Sequence, residues 1–235
     1  LYMFEEGRGA TVHDRSGVGR PLDLTIQNPS AVRWGKGFLE VFRPAVISSQ
    51  GAAAKINTAC RAANEITVEA WLSPTRIEQD GPARIVTLSP DIDNRNVTLG
   101  HGLPGKKEPK DLYDVRLRTT ERSSNGEPSI SSLPAAARKQ ATHVVYTRDA
   151  SYTVKIYVNL ELHVRQHLGG DLSNWTDDFP LVLANEPSGE RPWLGKLYIV
   201  AIYCRALEWD EIWQNYVVGL DVSYDPQFYL PLLAR

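Results

Sequence analysis

The chain has 235 residues with 26 Lys and Arg against 28 Asp and Glu, and its formal net charge is −2. This balance, without a basic block, gives polyanion binding no electrostatic footprint, and no nucleic-acid partner is expected. The longest apolar runs, such as residues 198–203, are far shorter than the roughly 20 residues that cross a bilayer, so no transmembrane segment is predicted. A chain of this length buries a core of its own, and we expect one domain.

Short apolar runs separated by turn residues recur along the chain and predict an antiparallel β-sandwich. The alternation is clear in residues 67–72, where Val68, Ala70 and Leu72 share one face of a strand. The predicted strands, in chain order, are residues 1–4, 22–26, 38–42, 66–72, 84–88, 96–99, 113–119, 142–147, 153–158, 160–166, 180–184 and 194–203.

Two segments predict short helices. Residues 52–62 are rich in good helix formers and follow Gly51. Residues 207–218 carry three acids near their start, which suits the positive end of a helix dipole, and Gly219 is a natural stop. The predicted fold is therefore all-β, a two-sheet antiparallel sandwich with one or two short helices. Residues 1–219 form the domain, and residues 220–235 form a tail that packs on the domain or on a partner.

Four stretches resemble, in the right order, the laminin G-like jelly roll of the concanavalin A-like lectin/glucanase superfamily. They are residues 1–26, 65–74 (EITVEAWLSP), 142–165 and 191–219. The resemblance implies a jelly roll and a non-catalytic module that binds a glycan or a protein. One departure stands in the hairpin near residue 160, where the family usually has Asp-Gly or Asn-Gly. The chain has Asn159-Leu160, which argues against a tight turn that needs positive φ twice.

The resemblance also implies that strand 66–72 pairs antiparallel with strand 194–203. This pairing places Cys60 and Cys204 near one end of the strand pair. Two alternatives follow: the cysteines form one disulfide, or they are two buried free thiols. The sequence begins at Leu1 in a segment that already reads as a strand, which suggests a mature or trimmed product. We therefore expect a periplasmic or extracellular location.

Residues suited to catalysis are few. Glu65 and Glu69 share a strand without the third acid that related glycosidases carry. A polysaccharide-active enzyme, the third hypothesis, would draw on Tyr113, Arg116, Arg118 and His143. For the two arginines, ion pairing with Glu186 or Glu190 is the simpler interpretation.

Sugar binding requires an aromatic platform beside amide and carboxylate groups. Trp175 with Asn174, Asp177 and Asp178 best fits this description, and Trp193 is the second choice. The alternative for each indole is packing in the core or at its rim, because a large indole is usually mostly buried.

Calcium is the metal that the loops favour. Asp91, Asp93 and Asn94 supply oxygen ligands on one loop, although not at the spacing of a defined calcium loop. The alternative is a set of solvated acids and Asx-turns. The five His are scattered without metal spacing, so zinc is not expected.

Trp209 and Trp213 lie four residues apart and share one face of the second predicted helix. Contiguous exposed apolar patches usually mark contacts with partners. The second hypothesis is therefore an accessory structural subunit docked on a larger membrane-associated assembly. Its interface would comprise Trp209, Trp213 and the tail residues Phe228, Tyr229 and Leu230. The alternative is that the tail covers the two indoles within the chain.

Overall fold

A computed structural model describes residues 1–219, which contain fifteen strands, two α-helices and a 3₁₀ turn at Pro29–Ala31. The helices are α1 (Ala54–Ala63) and α2 (Trp209–Val218). The strands are β1 (Thr11–Val12), β2 (Leu24–Ile26), β3 (Val32–Gly35), β4 (Phe38–Val41), β5 (Ile47–Ser49), β6 (Ile66–Pro74), β7 (Ala83–Leu88), β8 (Val97–His101), β9 (Tyr113–Leu117), β10 (Ile130–Ser131), β11 (Thr142–Arg148), β12 (Thr153–Val158), β13 (Glu161–His167), β14 (Leu181–Leu183) and β15 (Gly195–Tyr203).

The strands form two antiparallel sheets, which confirms the predicted jelly-roll sandwich. The eight-stranded sheet has the order β1-β2-β5-β14-β7-β8-β9-β10, and the seven-stranded sheet has the order β13-β12-β11-β6-β15-β4-β3. In the centre of the seven-stranded sheet, β6 pairs antiparallel with β15, as the resemblance implies. The edge strands β1 and β3 both come from the first 35 residues of the chain.

The main core lies between the sheets. Val68, Ala70 and Leu72 of β6 point into it and are at most 1% exposed, which confirms the predicted alternation. Tyr113 of β9 lies in the same core. Within residues 1–219, no helix combines the length and the apolar character that crossing a bilayer requires.

Helix α2 covers the outer face of the seven-stranded sheet with a second apolar cluster. Leu207 and Ile212 are buried in this cluster. The helix begins at Trp209, two residues later than predicted, because Glu208 is its N-cap. A capping box joins Glu208 and Glu211 through reciprocal hydrogen bonds between side chain and backbone.

Two local predictions are wrong. Residues 1–4 form no regular strand, since their ladder contact is the single bridge from Tyr2 to Val200. The turn after β12 is tight after all: Asn159 has φ 49° and Leu160 has φ 70°. Two successive positive φ values are those of a type I′ turn. The side chain of Asn159 supports the turn by accepting the His143 N–H at 2.9 Å.

Cys60 and Cys204 form a disulfide, one of the two alternatives that the sequence leaves open. Their Cα atoms are 4.3 Å apart, and the bridge joins α1 to the residue after β15. The disulfide therefore ties a helix on the rim to the central strand of the seven-stranded sheet.

Candidate functional site

The indole predicted as the sugar platform is buried. Trp175 is 3% exposed and packs in the main core, and its Nε1–H donates to the Arg118 carbonyl oxygen at 2.8 Å. The neighbouring Asn174 donates from Nδ2 to the Thr119 carbonyl oxygen at 2.8 Å. Both side chains therefore fasten their loop to the end of the eight-stranded sheet.

The other predicted sugar-binding residues are not gathered into one open site. The Asp177 carboxylate forms an ion pair with Arg61 of α1 at 2.8 Å, while Asp178 is exposed. Trp193 is fully buried, and its ring lies so close to Gly195 that an added Cβ would come within 2.4 Å of it. Neither Trp193 nor Trp175 offers an open aromatic face, and the binding role of these residues stays a prediction.

The loop predicted to bind calcium closes on itself. Asp91 Oδ1 accepts the backbone N–H groups of Asp93 at 2.8 Å and of Asn94 at 2.7 Å, which is an Asx-type turn. Burial alone would raise the pKa of Asp91, but these hydrogen bonds outweigh it and hold the pKa below its usual value. Among the described residues, no group of three or more His, Cys, Asp or Glu side chains is arranged to hold a metal ion. The calcium site stays a prediction.

The arginines of the enzyme hypothesis contact other groups than predicted. Arg116 forms an ion pair with Glu127 at 2.7 Å. Arg118 donates to the hydroxyl of Thr176 at 3.4 Å. Within residues 1–219, neither arginine forms an ion pair with Glu190. Both guanidinium groups therefore hold neighbouring loops against β9.

Glu186 is completely buried and is saturated by two other arginines. Its carboxylate accepts from Arg84 Nε, from Arg95 Nη1 at 3.1 Å and from the Ser89 hydroxyl at 2.5 Å. The two arginines are at most 1% exposed. The predicted pairing of Glu186 with Arg116 is therefore wrong, because nearer cations occupy its oxygens.

His143 belongs to a buried polar network beneath α2. Its Nε2 lies 2.6 Å from Glu69 Oε1, and Glu69 Oε2 accepts from Tyr203 Oη and Asn215 Nδ2, each at 2.9 Å. The imidazole stacks on Trp71 with ring centroids 4.9 Å apart. The network fastens α2 to the sheet and is closed to solvent.

An apolar stripe runs along the outer face of α2. Trp209 is 53% exposed, Trp213 is 47% exposed and Val217 is 56% exposed, at the i, i+4 and i+8 spacing of one helix face. The two indoles are therefore exposed as predicted, and their docking role stays a prediction. The tail residues of that predicted interface lie outside the described residues: Phe228, Tyr229 and Leu230.

Two adjoining grooves flank the loop formed by residues 6–10. The first measures 490 Å³ and lies between this loop and β3, where Trp34 and Val32 line it. The second measures 520 Å³ and is lined by Glu6, His13 and Arg15. Both grooves include residues 8–10, so the loop forms a shared wall between the edges of the two sheets.

Trp34 supplies the aromatic face of the first groove. Its indole is half-buried, with one part packed against the main core. Its Nε1–H donates to the Gly9 carbonyl oxygen at 2.9 Å, which fixes the ring against the loop. Gly7 and Gly9 have φ values of +69° and +89°, and residues other than Gly are strained in this region. The two glycines let the loop present Arg8 between the grooves.

The second groove brings together donors and acceptors. Arg8 and Arg15 are exposed, and neither guanidinium has an ion pair or hydrogen bond to another described residue. Glu6 accepts the His13 N–H at 2.8 Å through Oε1, while its buried Oε2 has no donor in the described part of the chain. Free guanidinium groups and an unpartnered carboxylate oxygen can all be satisfied by an incoming polar ligand.

His13 and Asp23 form the wall beside Arg15. Their ring nitrogen and carboxylate oxygen are 3.0 Å apart. Burial alone would raise the pKa of Asp23, but hydrogen bonds from the Asp14 backbone N–H and from His13 outweigh it and lower the pKa. Asp23 is therefore ionised at neutral pH and is paired with His13 rather than with Arg15.

Two other cavities lack this combination. A cavity of 220 Å³ beside α1 has apolar walls such as Ile56 and Ile202, and its two cationic side chains are paired, Lys55 with Asp14 and Arg205 with Glu211. A cleft of 670 Å³ lies between residues 77–80 and 106–111 and has charged walls without an aromatic side chain. The grooves beside Trp34 are therefore the best candidate site.

Sequence reasoning missed these grooves because Trp34 contacts Gly9, 25 positions away, only through the tertiary fold. The signal was nevertheless present. Trp34 stands in the segment Arg33-Trp34-Gly35-Lys36-Gly37, in which an aromatic residue is flanked by cations and glycines. A Trp in such a segment is poorly suited to a fully buried position.

The chain belongs to a known superfamily. Residues 48–213 match the laminin G-type family model described as the concanavalin A-like lectin/glucanases superfamily, over more than half of the chain. This match confirms the resemblance deduced from the four sequence stretches. No curated protein sequence matches the chain.

Solved structures resemble the chain at low sequence identity. The Trypanosoma rangeli sialidase in complex with sialic acid is 14% identical with a TM-score of 0.66, covering 95% of this chain and 33% of the sialidase. The binding domain of botulinum neurotoxin DC in complex with SialylT is 12% identical with a TM-score of 0.60, covering 92% and 50%. The CBM40 domain of the Ruminococcus gnavus IT-sialidase bound to α2,3-sialyllactose is 18% identical with a TM-score of 0.49, covering 70% and 90%.

Proposed function

We propose that the protein is a non-catalytic glycan-binding module and that the two grooves beside Trp34 are its binding site. The observation that carries the proposal is the meeting of the half-buried Trp34 indole with unpaired Arg8 and Arg15 at the edge of the sandwich. A sugar ring presents C–H groups on one face and hydroxyl groups around its rim. The C–H face can stack on an indole, and the hydroxyl groups can form hydrogen bonds with free guanidinium and carboxylate groups.

The shape of the site also suits a glycan. Grooves of 490 and 520 Å³ fall within the 300–1,000 Å³ that is usual for small-ligand sites. The hydrogen bond to Gly9 already holds the Trp34 side chain in place, so the indole loses little conformational entropy when a ligand stacks on it. The structural relatives were solved with sialic acid and with SialylT, which makes a glycan the first ligand class to test.

We further propose that the module works outside the cytoplasm. Disulfides form and persist in oxidising compartments, and Cys60 and Cys204 are paired. A protein in these compartments also meets polysaccharides and glycoconjugates. The disulfide and the proposed ligand therefore favour a periplasmic or extracellular protein.

The test is a glycan microarray probed with the full chain, followed by calorimetric titration of each hit. Trp34→Ala is expected to weaken binding at least about tenfold, the factor that corresponds to about 1.4 kcal/mol. The matched control is Trp213→Ala, which removes an exposed indole on α2 and leaves affinity unchanged. Circular dichroism verifies that both variants remain folded. Absence of any hit would refute the function, while equal affinity of Trp34→Ala and the parent would refute the site.

A further inference from the structure

We infer that the ligand of the two grooves is an anionic glycan, one that carries a carboxylate or sulfate group. This inference rests on the proposed function and defines its ligand class. It is carried by the charges that surround the grooves.

The second groove holds an excess of positive charge. Arg8 and Arg15 both line it, and Glu6 is the single carboxylate among its lining residues. Two acids close to the groove in sequence are paired with other groups, Asp14 with Lys55 and Asp23 with His13. Arg8 and Arg15 make no ion pair with another described residue and outnumber the one lining carboxylate, so a bound anion relieves their mutual repulsion.

The β3–β4 hairpin extends the positive charge beyond Trp34. Arg33 lies over the Phe42 ring at 5.2 Å, and Arg43 lies over the same ring at 5.5 Å. Glu40 compensates Arg33 through a contact of 3.3 Å, whereas Arg43 and Lys36 are exposed and have no ion pair among the described residues. An anionic ligand is therefore attracted to this edge although the whole chain carries a net charge of −2.

The chemistry of the guanidinium group specifies the class of anion. Its planar fork donates two parallel hydrogen bonds to a carboxylate or a sulfate, and such charge-assisted bonds are roughly twice as strong as neutral ones. Arg8 stands between the two grooves, so an acidic group bound there leaves the rest of the glycan beside the indole of Trp34. The arrangement favours a glycan with an acidic residue next to a neutral one.

The experiment compares matched ligands that differ in a single acidic group. Lactose, sialyllactose and sulfated lactose are titrated into the full chain at 50 mM and 500 mM NaCl. We expect the acidic sugars to bind at least tenfold more tightly than lactose at low salt. We also expect this preference to shrink at high salt, because screening weakens exposed charge pairs. Arg8→Ala and Arg15→Ala each reduce the preference about tenfold, and Arg20→Ala, an exposed arginine outside the grooves, leaves it unchanged.

The outcomes separate this inference from the proposed function. Equal or tighter binding of lactose, with loss on Trp34→Ala, would overturn the anionic ligand and leave a neutral-glycan module. A preference for acidic sugars that survives both arginine substitutions would also overturn the inference, because other residues would then bind the acidic group of the sugar. Failure of all three sugars, together with an empty microarray, would overturn the function itself.

Discussion

Replacing Glu186 with glutamine removes the negative charge at the centre of a buried cluster. The carboxylate lies between Arg84 and Arg95, and all three side chains are at most 1% exposed. Burial is the main cause that lowers the pKa of Arg84, to about 10. Arginine side chains stay protonated in proteins, so Glu186→Gln leaves two buried cations without their counter-charge.

The expected loss of stability is large. Removal of one partner from a buried ion pair costs about 3–5 kcal/mol. For a domain of this size each kcal/mol lowers Tm by about 2–4 °C, so the melting temperature falls by on the order of 10 °C. Urea unfolding followed by tryptophan fluorescence measures the free energy. Glu190→Gln, an exposed glutamate on the same loop, is the control and changes stability by less than about 0.5 kcal/mol. A Glu186→Gln protein within 1 kcal/mol of the parent would refute this account of the cluster.

Three further predictions concern stability. Replacing both Cys60 and Cys204 with Ala destabilises the fold by up to about 5 kcal/mol in urea unfolding, because the disulfide spans 144 residues. Burial lowers the pKa of His101 from 6.5 to about 4. As the pH falls, His101 is therefore protonated in the unfolded chain before it is protonated in the folded protein. The resulting contribution to the free energy of unfolding, up to about 3 kcal/mol, is fully present above pH 6.5 and is lost as the pH falls to 4. Trp209→Ser and Trp213→Ser each change Tm by only a few degrees, because both indoles are half-exposed.

Each of these predictions has a contrary outcome. A cysteine-free protein as stable as the parent would show that the bridge adds no net stability. If His101→Gln leaves the slope of stability between pH 7 and pH 4 unchanged, another group causes that slope. A loss of several kcal/mol on either Trp→Ser substitution would show that the stripe on α2 is covered within the chain.

The sandwich was predictable because its central strands carry a strong alternating pattern. Residues 66–72 of β6 place apolar side chains on one face, and their pairing with β15 followed from the family resemblance. Short strands such as β3, β5 and β10 were missed, since two to four residues carry too little periodicity to detect. The turn at Asn159-Leu160 was misjudged, because tertiary packing and a hydrogen bond to Asn159 hold Leu160 at positive φ.

The candidate site was not predictable in the same way. In the sequence, the acids beside Trp175 suggest a platform for a sugar ring, but the fold buries that indole in the core. Trp34 becomes a groove wall only when β3 meets the loop that carries Arg8. The positive edge is likewise invisible in a near-neutral composition, because folding pairs Asp14 and Asp23 with other groups and leaves Arg8 and Arg15 without ion pairs in the described part of the chain.

The central claim is that the edge grooves bind a glycan, and NMR titration tests it most directly. The ¹H–¹⁵N spectrum of the full chain is recorded with increasing sialyllactose. The account predicts shifts of the Trp34 indole N–H and of the amides of residues 6–10, with the Trp209 and Trp213 indole signals unchanged. Shifts confined to the α2 indoles or to the cleft between residues 77–80 and 106–111 would contradict it.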